Sequence, residues 1–166
     1  MWLANGAPRW SAGLASDVHR WCGMSADDRR PRVLVVNDTQ EILELFETIL
    51  SDLGYEVVLM SYAPRELDRI RKVAPDLIVL DFLMGDRELL GWQLLQKLKM
   101  DRQLEAVPVV VCTAAISYVQ EQQGYLTEQG VMVVLKPFNV DQLEEAVTSA
   151  MEQRATAVEV ASRSGS

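Results

Sequence analysis

The 166-residue sequence has few cysteines, a single histidine and no long apolar segment. Its two cysteines, Cys22 and Cys112, form neither a metal-ligand spacing nor a disulfide framework, and the apolar run around Cys112 predicts a buried, inert thiol. The longest apolar runs are about five residues, against the roughly twenty that a membrane-spanning helix needs. These absences argue against a disulfide-stabilised or membrane-spanning protein and favour the reducing cytoplasm.

Basic charge is also scarce. The 24 acidic residues outnumber the 16 basic ones and give a formal net charge of -8. A chain with this charge repels a nucleic-acid backbone unless a local basic patch intervenes, and the sequence shows no such patch. We therefore expect neither nucleic acid nor a membrane surface among the partners.

The two ends of the chain lack the periodicity of helices or strands. In residues 1–30, tryptophans are scattered among Gly, Ala, Ser and Arg, and no continuous apolar segment resembles a signal peptide. We expect a flexible N-terminal extension here, with Met24 as an alternative start to Met1. Residues 153–166 are expected to form a disordered tail.

Between the two ends, five short apolar runs alternate with stretches of helical period. The runs are rich in valine and unbroken, as is typical of strands buried on both faces of a parallel sheet. They are residues 33–36, 57–60, 77–80, 107–111 and 131–135. The fourth helical stretch, about residues 117–129, is the weakest because it is polar and contains Gly124. Five βα units with short connections predict the α/β class, with a doubly wound five-stranded parallel sheet and five helices.

Polar signals follow three of the predicted strands. Asn37 and Asp38 follow the first strand, Asp81 follows the third, and Lys136 with Pro137 follows the fifth. Because the carboxyl ends of parallel strands border the ligand crevice of such a sheet, we expect these side chains to converge on one pocket. Two carboxylates and an ammonium suit a divalent cation and a phosphoryl group.

With these residues, and with Thr113 in the segment CTA, residues 31–152 resemble a response-regulator receiver domain, the phospho-accepting module of two-component signalling. The segments LIVLDFLM, around Asp81, and LKPF, around Lys136, are the most specific elements of the resemblance. It implies the flavodoxin-like strand order 2-1-3-4-5 and a phosphorelay function, with no enzymatic turnover beyond slow self-dephosphorylation. The implied partners are a histidine kinase or phosphotransfer protein and a downstream protein target. Fewer than twenty residues follow the last predicted helix, so we expect output through a separate protein or through a homodimer.

The resemblance also implies a role for each site residue. Asp81 would be the phosphoacceptor, and Asp38, Asp81 and the backbone carbonyl of Leu83 would hold Mg2+. Lys136 and Thr113 would bind phosphoryl oxygens, and Thr113 could also serve as the N-cap of the fourth helix at another time.

Two positions bear on conformational change. In the family the peptide bond before Pro137 is cis, whereas trans is the general preference of X-Pro bonds. Val133 stands where the family usually has a switching Tyr or Phe, so the ordinary aromatic readout is missing. Any switch should then rest on displacement of the weakly anchored fourth helical segment.

Further departures concern the cation. Asn37 replaces the usual first acid, which keeps an oxygen acceptor but removes one negative charge, so Mg2+ should bind weakly. Gly85 replaces a common proline, and the loop over residues 81–91 is about two residues longer than the family pattern. Its acids, Asp86 and Glu88, could substitute for the missing carboxylate, although a solvated charged loop is the more ordinary interpretation.

Two alternative functions stay open at this point. Asn37 and Val133 are compatible with a degenerate receiver that acts as an interaction module without phosphorylation, whereas the retained acceptor, threonine and lysine favour a phosphorylatable domain. A flavodoxin-type carrier is disfavoured, because residues 37–40 lack the glycine and hydroxyl run that would bind a flavin phosphate.

Overall fold

The strands of the protein form one sheet, seen in a computed structural model that describes residues 29–85 and 89–164. Residues 31–166 make up one unit, and the account below concerns that unit alone. The predicted N-terminal extension, up to residue 28, and the loop acids Asp86 and Glu88 lie outside the described residues.

All five strands of the sheet are parallel, and their order is β2-β1-β3-β4-β5. They are β1 (Arg32–Val36), β2 (Glu56–Met60), β3 (Leu77–Leu80), β4 (Val109–Thr113) and β5 (Met132–Leu135). Every residue of β3 and β4 is buried, as expected for short valine-rich runs covered on both faces. The predicted fold class and strand order are confirmed.

Within residues 29–85 and 89–164, six helices connect and follow these strands. They are α1 (Gln40–Asp52), α2 (Asp68–Val73), α3 (Leu90–Met100), α4 (Ile116–Glu121), α5 (Gln123–Glu128) and α6 (Val140–Ser164). The predicted count of five was wrong because the fourth predicted helix is two six-residue helices that meet at Gln122. No residue of α4 is buried, and Leu126 is the buried residue of α5, so few apolar contacts hold this stretch. Among the described residues, no helix is long and apolar enough to cross a membrane.

The helices cover the sheet on both faces with two apolar layers. Along β1, Val33 and Val35 face the layer that contains α1 and α6, whereas Leu34 and Val36 face the layer that contains α3 and α5. This alternation follows from the two-residue period of a strand. With apolar cover on both faces, polar side chains are placed at the ends of the strands.

Helix α6 is longer than the sequence predicted. Residues 153–164 continue the helix, so the expected disordered tail was wrong over that range. Arg154 Nη1 donates to the Asp76 carbonyl at 2.6 Å and to Asp76 Oδ1 at 2.9 Å, next to the start of β3. Glu159 and Arg163 form an i, i+4 pair at 2.7 Å. The alanines of this stretch also have a high intrinsic preference for helix. That preference leaves no apolar face in the sequence, which is why the helix was not predicted here.

Candidate functional site

Asp81 lies directly after β3, near the centre of the sheet, and is 7% exposed. Its backbone N–H donates to the Val36 carbonyl at 3.2 Å, which extends the pairing of β1 and β3. Gly91, at the start of α3, packs against the same peptide, because a Cβ there would lie 1.7 Å from the Asp81 carbonyl oxygen. The backbone of a neighbouring strand and of a helix therefore fixes the base of this side chain.

Among the described residues, three donors surround the Asp81 carboxylate. Lys136 Nζ lies 2.6 Å from Oδ2, and Asn37 Nδ2 donates to the same oxygen at 3.3 Å. The backbone N–H of Leu83 donates to Oδ1 at 3.1 Å. The structure thus brings the predicted acceptor and the predicted lysine into direct contact, and the ion pair is largely shielded from solvent.

The orientation of the Asn37 amide follows from a second contact. Asn37 is buried, and its Oδ1 accepts a hydrogen bond from the backbone N–H of Thr39 at 2.8 Å. Because the amide oxygen is used there, the NH2 group faces Asp81. The sequence analysis credited Asn37 with an oxygen acceptor, whereas towards Asp81 it presents a donor.

Asp38 is exposed, and its Oδ2 accepts a hydrogen bond from the backbone N–H of Gly85 at 2.6 Å. Gly85 has a φ of 68°, and a proline would lack the N–H and would fix φ near -65°. The departure at Gly85 therefore creates a contact that the usual proline could not make. The backbone of Leu83 and Gly85 binds one oxygen of each carboxylate, so both acids adjoin the same short segment.

Thr113 is the last residue of β4 and is fully buried. Its Oγ1 accepts a hydrogen bond from the Ala115 N–H at 3.2 Å, in the turn before α4, and its carbonyl accepts from the Lys136 N–H at 2.9 Å. Ala115, and not Thr113, is the N-cap residue of α4. The bond between Lys136 and Pro137 is cis, as the family resemblance implies.

Two residues near the site take no part in its polar contacts. Val133 is half-buried in β5, opposite Val111, and packs on the apolar layer that contains α3 and α5. Cys112 is buried, and burial raises the pKa of its thiol to about 12, as a protonated and inert cysteine requires.

The sequence analysis missed four aromatic residues beside the site. Phe82, Trp92, Tyr118 and Tyr125 form edge-to-face contacts, and we call them the aromatic cluster. They come from the loop after β3, from α3, from α4 and from α5, so no regular spacing connects them. The sequence signal that could have indicated the aromatic cluster was that Phe82 directly follows Asp81.

Among the described residues, carboxylates are few around Asp81. Over residues 29–85 and 89–164, no group of three or more His, Cys, Asp or Glu side chains is arranged to hold a metal ion. Asp38 and Asp81 are therefore the acids that the described part of the site offers to a cation.

Lys136 contacts the buried Asp81 at the carboxyl edge of a sheet with the strand order 2-1-3-4-5. A comparison with protein families agrees with this arrangement. The family model described as the response regulator receiver domain matches residues 33–148. The chain belongs to this family. The receiver is 31% identical over 127 residues to the "Probable transcriptional regulator ycf27" of Porphyra purpurea, covering 76% of this chain and 50% of that protein. It is 30% identical over 133 residues to "Response regulator Rre1" of Synechocystis, covering 80% of this chain and 56% of that protein.

The receiver also resembles solved structures. It matches a CheY-like response regulator receiver domain protein from Methanospirillum hungatei with a TM-score of 0.67 and 25% identity, covering 78% of this chain and 99% of that one. The receiver spans about half the length of the curated relatives it matches.

Proposed function

We propose that Asp81 accepts a phosphoryl group and that the receiver acts as the phosphorylated component of a two-component phosphorelay. The observation that carries the proposal is the 2.6 Å contact between Lys136 Nζ and the Oδ2 of a nearly buried Asp81. A lysine in this place can pair with the oxygens of an incoming phosphoryl group.

The proposed reaction is a transfer from a phosphohistidine on the donor protein. A carboxylate oxygen of Asp81 attacks phosphorus and forms the new O–P bond, while the P–N bond breaks and the imidazole nitrogen leaves with the electron pair. Lys136 offsets the negative charge of the phosphoryl oxygens, and the Thr113 hydroxyl donates a hydrogen bond to one of these oxygens. The product is an aspartyl phosphate, which water hydrolyses slowly without a dedicated catalytic base.

The family implies a bound Mg2+, and the residues present fit a hard cation. Asp38, Asp81 and the Leu83 carbonyl would supply oxygen ligands, and the backbone N–H groups of Leu83 and Gly85 hold the carboxylates of Asp81 and Asp38 at the same short segment. When bound, Mg2+ offsets the charge of the carboxylates and of the incoming phosphoryl group. Asn37 adds an N–H donor where a third carboxylate would add charge, so we infer that the cation binds weakly.

The proposed partners are proteins. A histidine kinase or phosphotransfer protein would donate the phosphoryl group, and a downstream protein or a second copy of the receiver would respond to it. The net charge of -8 over the whole chain argues against contacts with nucleic acid. We place this reaction in the cytoplasm, where ATP supplies the phosphoryl group of the kinase.

Intact-mass spectrometry after incubation with acetyl phosphate and Mg2+ tests the acceptor. We expect the mass of one added phosphoryl group, which hydroxylamine removes, and we expect no label in Asp81→Asn. Asp141→Asn is the matched control, since Asp141 is exposed in the first turn of α6, outside the site. Label that persists in Asp81→Asn would rule out Asp81 as the acceptor.

The donor orientation of Asn37 favours a second candidate, a receiver that binds its partner without phosphorylation. In that case the folded wild-type protein would stay unlabelled at saturating phosphodonor and Mg2+. Asn37→Asp separates the causes, because label that appears only in this variant would show that the missing charge prevents phosphorylation.

A further inference from the structure

The aromatic cluster begins at the residue that follows the acceptor. Phe82 is fully buried, and its carbonyl accepts a hydrogen bond from the Gly91 N–H at 3.2 Å. Gly91 has no room for a Cβ against the peptide of Asp81 and Phe82, with 1.7 Å to the Asp81 oxygen and 2.8 Å to the Phe82 Cα. The Asp81 peptide, Phe82 and the first turn of α3 are therefore in direct contact.

Trp92 follows Gly91 in that first turn and contacts the rings of three residues. Its ring centroid lies 5.5 Å from that of Phe82, 5.4 Å from that of Tyr118 and 5.3 Å from that of Tyr125, and the interplanar angles are 85°, 82° and 68°. Phe82 also contacts Tyr118 directly, at 6.2 Å and 89°. One tryptophan beside the acceptor thus contacts both α4 and α5, with geometry that favours aromatic pairs.

Helices α4 and α5 have few other attachments. No residue of α4 is buried, and neither helix has a side-chain hydrogen bond at its N-cap. Tyr118, Val119 and Tyr125 pack on the apolar layer while partly exposed. Together with the buried Leu126 of α5, the ring contacts of the aromatic cluster therefore hold the two helices to the domain, and such weakly attached segments open most easily.

Two further observations concern the residues on β4 and β5 that could also connect the acceptor with α4. The Thr113 hydroxyl binds the Ala115 N–H just before α4, and this bond is lost if the hydroxyl turns towards a phosphoryl group. Val133 on β5 has no ring to fill space that such a movement opens. In the described part of the chain, the aromatic side chains that connect the acceptor with α4 and α5 are those of the aromatic cluster.

We infer that phosphorylation of Asp81 is transmitted to α4 and α5 through the aromatic cluster, with Trp92 as its centre and Tyr118 as the contact that holds α4. This inference rests on the proposed function, since it concerns the output of the same site. It assigns the output movement to rings that are connected to the acceptor through the loop after β3 and through the first turn of α3.

Two measurements on the full chain test the inference. With Trp2, Trp10 and Trp21 replaced by Phe, Trp92 is the one remaining tryptophan, and its emission should change on treatment with acetyl phosphate and Mg2+. Amide exchange over residues 116–128 should rise at the same time. In Tyr118→Leu the exchange response to phosphorylation should fall by about half, whereas Tyr118→Phe, which keeps the ring, should retain it.

The controls separate this inference from the proposed function. Intact mass gives the phosphorylated fraction of each variant, and Tyr62→Leu removes an exposed tyrosine that lies outside the aromatic cluster. Asp81→Asn breaks the ion pair with Lys136 without any phosphodonor, and it too should alter Trp92 emission. Absence of label in the protein that retains Asp81, together with a Trp92 response to Asp81→Asn, would refute the proposed function and support the coupling. An unchanged Trp92 emission in both experiments, or a full exchange response in phosphorylated Tyr118→Leu, would overturn the inference.

Discussion

Replacement of Gly91 by Ala should destabilise the receiver strongly, although the residue lies in a helix. The added Cβ would lie 1.7 Å from the Asp81 carbonyl oxygen, 2.7 Å from its carbon and 2.8 Å from the Phe82 Cα. All three are backbone atoms in the buried centre of the fold, so α3 must shift bodily. Overpacking of this kind typically costs 1–3 kcal/mol, and we expect about 3 kcal/mol here because backbone must move. The gain of about 1 kcal/mol in helix propensity from Gly to Ala does not offset this cost.

Gly124 provides the matched control for this substitution. It also lies in a helix, α5, but no atom outside its own neighbourhood lies within 4 Å of a Cβ built there. Gly124→Ala should therefore stabilise the protein by about 0.5–1 kcal/mol through helix propensity alone. The two variants have the same chemistry, so their difference isolates the contact with the acceptor peptide.

Urea unfolding followed by far-ultraviolet circular dichroism measures both variants. With a urea dependence of about 2 kcal/mol per molar, a loss of 3 kcal/mol lowers the midpoint by about 1.5 M. Gly124→Ala should raise the midpoint slightly. If the urea midpoint of Gly91→Ala equals or exceeds that of the wild type, then α3 does not pack against Asp81 as described. The proposed contact between the acceptor and the aromatic cluster through α3 would then be wrong as well.

Three other predictions concern separate parts of the domain. Asn37→Asp should tighten Mg2+ binding by about 1–2 kcal/mol by adding a charged ligand, and calorimetric titration that shows unchanged or weaker affinity would contradict the assigned cation site. In a Cys22→Ser background, alkylation of Cys112 at pH 8 should be very slow until the protein unfolds. A thiol with a pKa of about 12 is ionised to only about one part in ten thousand at that pH, so rapid labelling of the native protein would show that the thiol is exposed. Arg154→Met should speed amide exchange over residues 153–164 by removing the contact with Asp76, and unchanged exchange would mean that the pair does not anchor α6.

Much of the fold could be predicted because the sheet follows from short, unbroken apolar runs. Runs such as 77–80 can only be buried on both faces, and the strand order came with the family resemblance. The site residues at the strand ends came with them, since topology places the carboxyl ends together. The contact between Lys136 and Asp81 therefore needed little information beyond the motif.

What could not be predicted depends on contacts between distant residues. The amide of Asn37 faces Asp81 with its donor because the Thr39 N–H binds its oxygen, and no pattern in the sequence encodes that choice. In the sequence, Gly91 marked only the end of the loop over residues 81–91, because its close approach to Asp81 exists only once α3 packs on the sheet. The helical end of α6 was missed because a search for buried apolar faces does not detect a helix stabilised by alanine and by an ion pair.

Helix α6 also has a mechanical consequence. It begins four residues after Lys136 and runs for 25 residues, or about 37 Å, whereas a five-residue strand spans about 17 Å. The contact between Arg154 and Asp76 lies about 15 Å from the end of the helix, so it can serve as a pivot near the far edge of the sheet. A tilt of about 10° around that pivot displaces Ser164 by about 3 Å, so a rotation that begins at the end of α6 near the acceptor also moves the opposite end of the helix.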